Sequence, residues 1–129
     1  MKRNPAREGS LSITIDVRKS NGETRIVDIA GDIDIYSSSL VKAALLELFE
    51  KQHHNVLVNL EKVRSIDSTG LAVLIGALKR SRTDDGRLDL ICANPLILKV
   101  FDITGLAKAF TIFGDEGAAL ATPAKAVRA

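Results

Sequence analysis

Two stretches near the start of the chain predict a β-hairpin. Apolar and polar residues alternate over 11–18, which is the period of a strand with one solvent-facing side. The pair Asn21-Gly22 then favours a tight turn, because both residues tolerate positive φ. β-Branched residues resume over 25–30, and Gly31 is predicted to end this second strand.

The rest of the chain alternates between helical spacing and short apolar runs. Three serines at 37–39 offer capping hydroxyls to a first helix, and a second helix begins at 67–70 with a predicted core stripe of Leu71, Leu74, Ile75 and Leu78. The further predictions are strands at 55–60, 87–93 and 110–113, a helix from 95 to about 104 that stops at Gly105, and a last helix at 115–121.

This order, ββαβαβαβα, predicts an α/β fold with about five strands and four helices. Strands that are separated by helices become parallel neighbours, whereas the initial hairpin is antiparallel. We therefore expect a single domain with a mixed, mostly parallel sheet and helices packed against it. Its limits are placed at 10–121, with flexible tails at 1–9 and 122–129, where Ala, Pro, Gly and basic residues occur without periodicity.

Composition and charge narrow the class of protein. The single cysteine, Cys92, cannot close an intrachain disulfide, and no long apolar run follows the basic N-terminus. We therefore expect a cytoplasmic protein without membrane insertion. The formal net charge is +2, but five basic residues lie in the predicted tails, and residues 10–121 carry 13 basic against 15 acidic residues. This distribution argues against direct DNA binding.

The segment Asp67-Ser68-Thr69-Gly70 is the candidate site. Small polar residues and a glycine meet at the start of a helix, where backbone N–H groups lack intrahelical partners and an anion such as a phosphate is tolerated. Gly70 would let another surface approach closely. The same residues also fit simple helix capping by Asp67 or Ser68, so the pattern alone leaves both interpretations open.

Several enzymatic chemistries lack their residues. No Gly-rich loop ending in Gly-Lys-Ser/Thr occurs, and Ser68 lacks the surroundings of a serine nucleophile. The only histidines, His53 and His54, fall in a predicted solvated loop, and no metal-ligand spacing is evident. We therefore expect a protein that is not an enzyme and holds no metal or cofactor.

Over about 11–121 the chain resembles the anti-sigma factor antagonists of the STAS family. The resemblance rests on these motifs: Gly31-Asp32-Ile33-Asp34, Val58-Asn59-Leu60, Ile66-Asp67-Ser68-Thr69-Gly70-Leu71, Cys92-Ala93-Asn94-Pro95, Val100-Phe101 and Ile103-Thr104-Gly105-Leu106. It implies a regulatory protein that binds an anti-sigma factor serine/threonine kinase and so frees a sigma factor. Phosphorylation by that kinase would end the binding, and a PP2C-type phosphatase would restore it.

The resemblance also implies the site residues. The serine after the motif's aspartate, Ser68, is the expected phosphoacceptor, with Thr69 as the weaker candidate. The expected partner-binding residues are Asp32, Asp34, Asp67, Ser68, Thr69 and Gly70. Asp34 also suits a purely structural place at the start of the first helix. The alternative function is a STAS scaffold subunit of a signalling assembly or a lipid-transport ATPase complex, without a phosphorylation switch.

Overall fold

A computed structural model describes residues 13–20 and 22–122. Within them lie five strands, four α-helices and a 3-10 turn, Leu106–Lys108, in the predicted order. The strands are β1 Ile13–Lys19, β2 Arg25–Ile33, β3 Asn55–Ile66, β4 Arg87–Ile91 and β5 Ile112–Phe113; the helices are α1 Ser38–Glu50, α2 Ser68–Thr83, α3 Pro95–Ile103 and α4 Glu116–Leu120. The tails predicted at 1–9 and 122–129 lie outside the described residues, except Thr122.

The sheet has the strand order β1-β2-β3-β4-β5. β1 pairs antiparallel with β2, and the other neighbouring strands are parallel. The prediction of a mixed, mostly parallel sheet is therefore confirmed. Because β2, β3 and β4 run in the same direction, the connections that follow them lie at one edge of the sheet, as in other parallel α/β folds.

The two faces of the sheet are covered unequally. On one face, residues of α1, α2 and α3 join alternate strand residues in the main core, in which Phe49, Leu74 and Phe101 are almost fully buried. The predicted stripe of α2 belongs to this core, although Ile75 is only half-buried. The other face carries a small second cluster, Ile26, Leu57, Ile91 and Ala119, which α4 covers.

Two strands are longer than their sequence pattern predicts. β2 continues past Gly31 to Ile33, and β3 continues past Leu60 to Ile66. Gly31 has a φ of 109° and lies at a register irregularity between β2 and β3, a backbone conformation that glycine adopts readily. The prediction that Gly31 ends the strand is wrong, because the glycine permits a bulge inside it.

Smaller differences concern the ends of elements. Val17 of β1 is 47% exposed, so the predicted alternation does not bury every apolar residue. Gly22 has a positive φ as expected of the turn, while Asn21 lies outside the described residues. Phe110 is buried in the main core before β5 begins, rather than forming the first residue of that strand. Gly105 follows the end of α3 in a left-handed conformation, so the predicted helix stop is confirmed.

Candidate functional site

The extensions of β2 and β3 bring two connections together at the carboxyl edge of the sheet. The Asp34 loop comprises 34–37 and leads into α1; the Ser68 turn comprises 67–70 and starts α2. The backbone N–H of Asp67 donates to the carbonyl of Ile33 over 3.0 Å, and the Ile35 N–H lies near enough to the Asp67 carboxylate to help lower its pKa. The Ser68 turn is therefore hydrogen-bonded to the end of β2, directly before the Asp34 loop.

Asp67 is the cap of α2. Its Oδ1 accepts hydrogen bonds from the backbone N–H groups of Thr69 and Gly70, at 2.9 and 3.1 Å, and from the Thr69 hydroxyl at 2.5 Å. These bonds, the Thr69 hydroxyl bond first, hold the pKa of Asp67 below its ordinary value. The capping interpretation of the motif is thus correct for Asp67, and its carboxylate is ionised at neutral pH.

Ser68 and Thr69 differ in what their hydroxyls contact. The Thr69 hydroxyl donates to Asp67, and its residue is half-buried. Ser68 is exposed, and its hydroxyl has no hydrogen-bond partner within residues 13–20 and 22–122. The N–H groups of Thr69 and Gly70, which were expected to be open to a phosphate, already donate to the Asp67 carboxylate. A phosphoryl group on Ser68 would lie next to this carboxylate.

Gly70 is required by packing inside the chain. A Cβ at this position would lie 2.6 Å from Ile33 Cγ2 and 2.8 Å from Ile66 Cγ1, well inside van der Waals contact. The residue is buried, and the surfaces that approach it belong to the ends of β2 and β3. Its absent side chain allows α2 to start directly against the sheet.

The other two predicted carboxylates have partners within the chain. Asp32 accepts from Arg64 Nη2 at 3.1 Å and from the Ser65 hydroxyl at 2.9 Å. Asp34 Oδ1 accepts from the backbone N–H groups of Tyr36 and Ser37, at 2.9 and 3.0 Å, which matches its structural interpretation. Both residues remain partly exposed beside the Ser68 turn.

The capping role predicted for the serines at 37–39 is wrong in its details. Ser37 precedes α1, but its side chain makes no capping hydrogen bond to that helix. The hydroxyl is buried; it donates to the carbonyl of Asp32 over 2.8 Å and accepts from the N–H of Asp34 over 2.9 Å. Ser37 therefore closes the Asp34 loop onto the end of β2 rather than capping α1.

Apolar residues of the Asp34 loop are exposed, although only its carboxylate was predicted from the sequence as a contact. Ile35 is 65% and Tyr36 76% exposed, although both are large apolar side chains. Leu40, in the first turn of α1, is also exposed. A useful signal was present in the sequence, since Ile35-Tyr36 interrupts a polar segment that joins a strand to a helix. Together with Ser68, these residues form a mixed apolar and hydroxyl surface.

Other predicted residues lie elsewhere. Cys92 is a free, buried thiol whose pKa burial raises, in agreement with a core residue. His54 departs from its predicted solvated loop: its ring stacks on Phe49, and its Nδ1 lies 3.4 Å from an Asp84 carboxylate oxygen. Neither histidine is near the Ser68 turn in the fold, because both lie at the start of β3.

Within 13–20 and 22–122, no cluster of three or more His, Cys, Asp or Glu side chains has an arrangement suited to a metal ion. In the same residues, no helix has the length and apolar character needed to cross a membrane.

The fold and the capped helix start define the class of this protein. Residues 14–119 match the model of the STAS domain, and the chain belongs to the STAS domain family. A curated relative, the anti-sigma-B factor antagonist of Bacillus subtilis, is 35% identical over 96 residues, which cover 74% of this chain and 86% of the relative. The anti-sigma-B factor antagonist of Listeria monocytogenes is 33% identical over 108 residues, covering 83% and 94%.

Solved structures share this architecture. An anti-sigma factor antagonist from Mycobacterium paratuberculosis superposes with a TM-score of 0.78 at 24% identity, over 92% of this chain and 96% of that one. The Bacillus cell fate determinant SpoIIAA, solved in its phosphorylated form, superposes with a TM-score of 0.65 at 21% identity, over 81% and 96%. These likenesses establish the fold.

Proposed function

We propose that this protein is an anti-sigma factor antagonist that acts by binding an anti-sigma factor serine/threonine kinase rather than by catalysis. The names of the Bacillus and Listeria relatives support the class of function. Binding of the kinase would free its sigma factor. The proposed contact surface comprises the Asp34 loop and the Ser68 turn, which adjoin where the Asp67 N–H bonds the Ile33 carbonyl.

The observation that carries the phosphorylation proposal is the difference between the two adjacent hydroxyls. Ser68 is exposed, and its hydroxyl has no partner among the described residues, so a kinase can reach it without breaking an internal contact. The Thr69 hydroxyl would first have to leave the Asp67 carboxylate. We therefore assign the phosphoacceptor to Ser68 and not to Thr69.

Charge explains how phosphorylation would end binding. A phosphoryl group adds about −1.5 to −2 charges next to the ionised Asp67. At an effective dielectric constant near 20, a dianion about 8 Å from one partner carboxylate costs roughly 4 kcal/mol before screening by salt. About 2.7 kcal/mol already weakens binding roughly a hundredfold. No unfolding of the domain is needed, and a PP2C-type phosphatase would reverse the change.

The exposed apolar residues supply binding energy in this account. Ile35 and Tyr36 project from the Asp34 loop, and large apolar and aromatic side chains contribute much of the affinity of protein interfaces. The Asp67 N–H bonds the Ile33 carbonyl at the base of this loop. The expected partner-binding set from the sequence thus divides into Ser68, which would face the partner, and Asp67, Thr69 and Gly70, which hold the surface in place. Asp32 and Asp34 stay proposed contacts at its margin.

The test is displacement of a sigma factor from its complex with candidate anti-sigma kinases. Unmodified protein should release sigma factor in a concentration-dependent manner, and Tyr36→Ala should do so at least about tenfold more weakly if the loop is a contact. Leu120→Ala, an exposed apolar residue on α4, is the matched control. Failure to displace any cognate sigma factor would favour the alternative, a constitutive STAS scaffold subunit of another assembly.

A further inference from the structure

A cavity of about 530 Å³ lies at the amino edge of the sheet. Three connections enclose it: the hairpin between β1 and β2, the connection from α1 to β3, and the connection from α2 to β4. β3 runs from this edge to the Ser68 turn through 12 residues, so the two regions lie at opposite ends of the sheet. The volume falls within the range of small-molecule sites.

The walls of this cavity are tied together by backbone contacts. Ser20 N–H donates to the Thr24 carbonyl over 3.1 Å and closes the hairpin. Arg87 N–H donates to the His54 carbonyl over 2.8 Å, and a Cβ on Gly86 would lie only 2.2 Å from the same oxygen. The connections after α1 and α2 are therefore in close contact, and that side of the cavity is preformed.

Cationic side chains gather on the hairpin side of the cavity. Lys19 lies directly opposite Arg25 in the register of β1 and β2, an arrangement of like charges that destabilises a sheet. Neither side chain has an ion-pair partner within 13–20 and 22–122. Partial burial lowers the pKa of His53, and so do the nearby charges of Arg25, Lys51, His54 and Lys19.

Three carboxylates line the same cavity, and one of them is engaged by a cation outside it. Asp84 is bound to Arg80 at 3.0 Å and lies 3.4 Å from His54 Nδ1. Lys51 has only an exposed i,i+4 pair with Glu47, a kind of pair that contributes little. Glu23 and Asp85 also line the cavity, so a bound anion is expected against the Lys19 and Arg25 side rather than at its centre.

We propose that this cavity binds a small, soluble, multiply charged anion of the phosphate class, held by Lys19, Arg25 and His53. Phosphate oxygens accept charge-assisted hydrogen bonds from all three side chains, and an anion between Lys19 and Arg25 removes their mutual repulsion. The proposal does not depend on Ser68 or on a sigma-factor partner. The ligand would bind at the amino edge of the sheet, opposite the Ser68 turn.

Inorganic pyrophosphate is the probe, added to the full chain at constant ionic strength and followed by NMR. Saturable shifts are expected at Lys19, Arg25 and His53, and the pKa of His53 should rise as the anion binds. Lys19→Glu should lower the affinity by about tenfold or more, because it removes one charge-assisted contact and adds a repulsive charge. Lys99→Glu, at an exposed position on α3, should leave the affinity unchanged.

Lys19→Glu carries a second readout that does not depend on the ligand. Because it replaces a like-charged cross-strand pair with an opposite-charged pair, it should raise the stability of the free protein while it weakens binding. The proposal is overturned if pyrophosphate gives no more than the shifts of sodium chloride. It is equally overturned if Lys19→Glu binds pyrophosphate with the same affinity as Lys99→Glu and the unmodified chain.

Discussion

The starts of α2 and α3 are built alike and yet differ in what they can do. Each helix follows a parallel strand and is capped by an Asx side chain: Asp67 accepts from Thr69 and Gly70, and Asn94 accepts from Leu96. Asn94 is followed by a proline and also donates to the Val63 carbonyl over 3.3 Å, so its cap is structural. The α2 start adds an exposed hydroxyl that the cap does not use.

This contrast shows that capping by Asp67 is compatible with a separate role for Ser68. Asp67 performs the capping, which leaves Ser68 available for modification. A helix start becomes a candidate switch when it carries a reactive group beyond those that its own backbone requires. The predictions that follow compare α2 with α3, or one position of α2 with another.

The largest effect is expected for a negative charge at the first position of each helix. Ser68→Asp should weaken binding to the anti-sigma factor by up to about a hundredfold, by the repulsion described above. Its circular dichroism should be nearly unchanged, because acidic residues suit a first helical turn and α2 has none there. Pro95→Asp, at the first position of α3, should leave binding intact. Equal losses in both variants, or unfolding of Ser68→Asp, would contradict the comparison.

Two glycines of α2 should respond in opposite directions to alanine. Gly70→Ala should destabilise the fold by about 1–3 kcal/mol, because its Cβ would overlap Ile33 and Ile66. At Gly76 no atom of the described part of the chain lies within 4 Å of an added Cβ, so Gly76→Ala should stabilise by roughly 0.5–1 kcal/mol. Urea denaturation measures both. If both variants were stabilised, the close packing of Gly70 would not be what requires a glycine.

Removing each cap should cost stability, and Asp67 more than Asn94. Loss of an Asx cap typically costs about 0.5–2 kcal/mol. Asp67→Ala should lie near the upper end, since its ionised carboxylate accepts from two backbone N–H groups and the Thr69 hydroxyl, whereas the neutral Asn94 side chain accepts from the Leu96 N–H and donates to the Val63 carbonyl. Thermal unfolding compares the two. A larger loss for Asn94→Ala would show that the additional bonds of the Asp67 carboxylate contribute little.

The smallest effect is a pH dependence that only the α2 cap should show. The folded-state pKa of Asp67 lies below its ordinary value of 3.8, so its charge stabilises the fold above that value. The stabilisation is lost as the pH falls from about 3.8 through the folded pKa. The stability difference between the unmodified chain and Asp67→Asn should therefore shrink on acidification from pH 6. A difference that stays constant to pH 2.5 would contradict the lowered pKa.

Much of this architecture was accessible from local patterns. The order of elements, the cap at Asp67, the helix stop at Gly105 and the buried Cys92 each depend on residues close in sequence. The extensions of β2 and β3 could not be predicted from local patterns. In β2, Gly31 lies at a bulge. In β3, the buried residues Leu60, Val63 and Ile66 recur at every third position rather than at every second. A strand pattern with period two cannot reveal an irregularity that depends on pairing with its neighbour.

The segment of the candidate site could be read from the sequence, whereas its internal contacts could not. The Asp-Ser-Thr-Gly segment was evident, whereas the different fates of the Ser68 and Thr69 hydroxyls depend on side-chain geometry. The link from Ile35 to Asp67 joins residues 32 positions apart, and it follows only from the parallel pairing of β2 with β3. The exposure of Tyr36 likewise depends on the buried Ser37 hydroxyl, which closes the Asp34 loop.

We propose the exposed Ser68 hydroxyl at the start of α2 as the switch. The most direct measurement is incubation of the protein with cognate anti-sigma kinases and ATP, followed by mass spectrometry to locate the phosphoryl group and by binding assays on both forms. The account predicts modification at Ser68, none at Thr69, and loss of kinase binding in the modified form. Modification at Thr69, or a Ser68-phosphorylated protein that binds its kinase as tightly as the unmodified one, would contradict it.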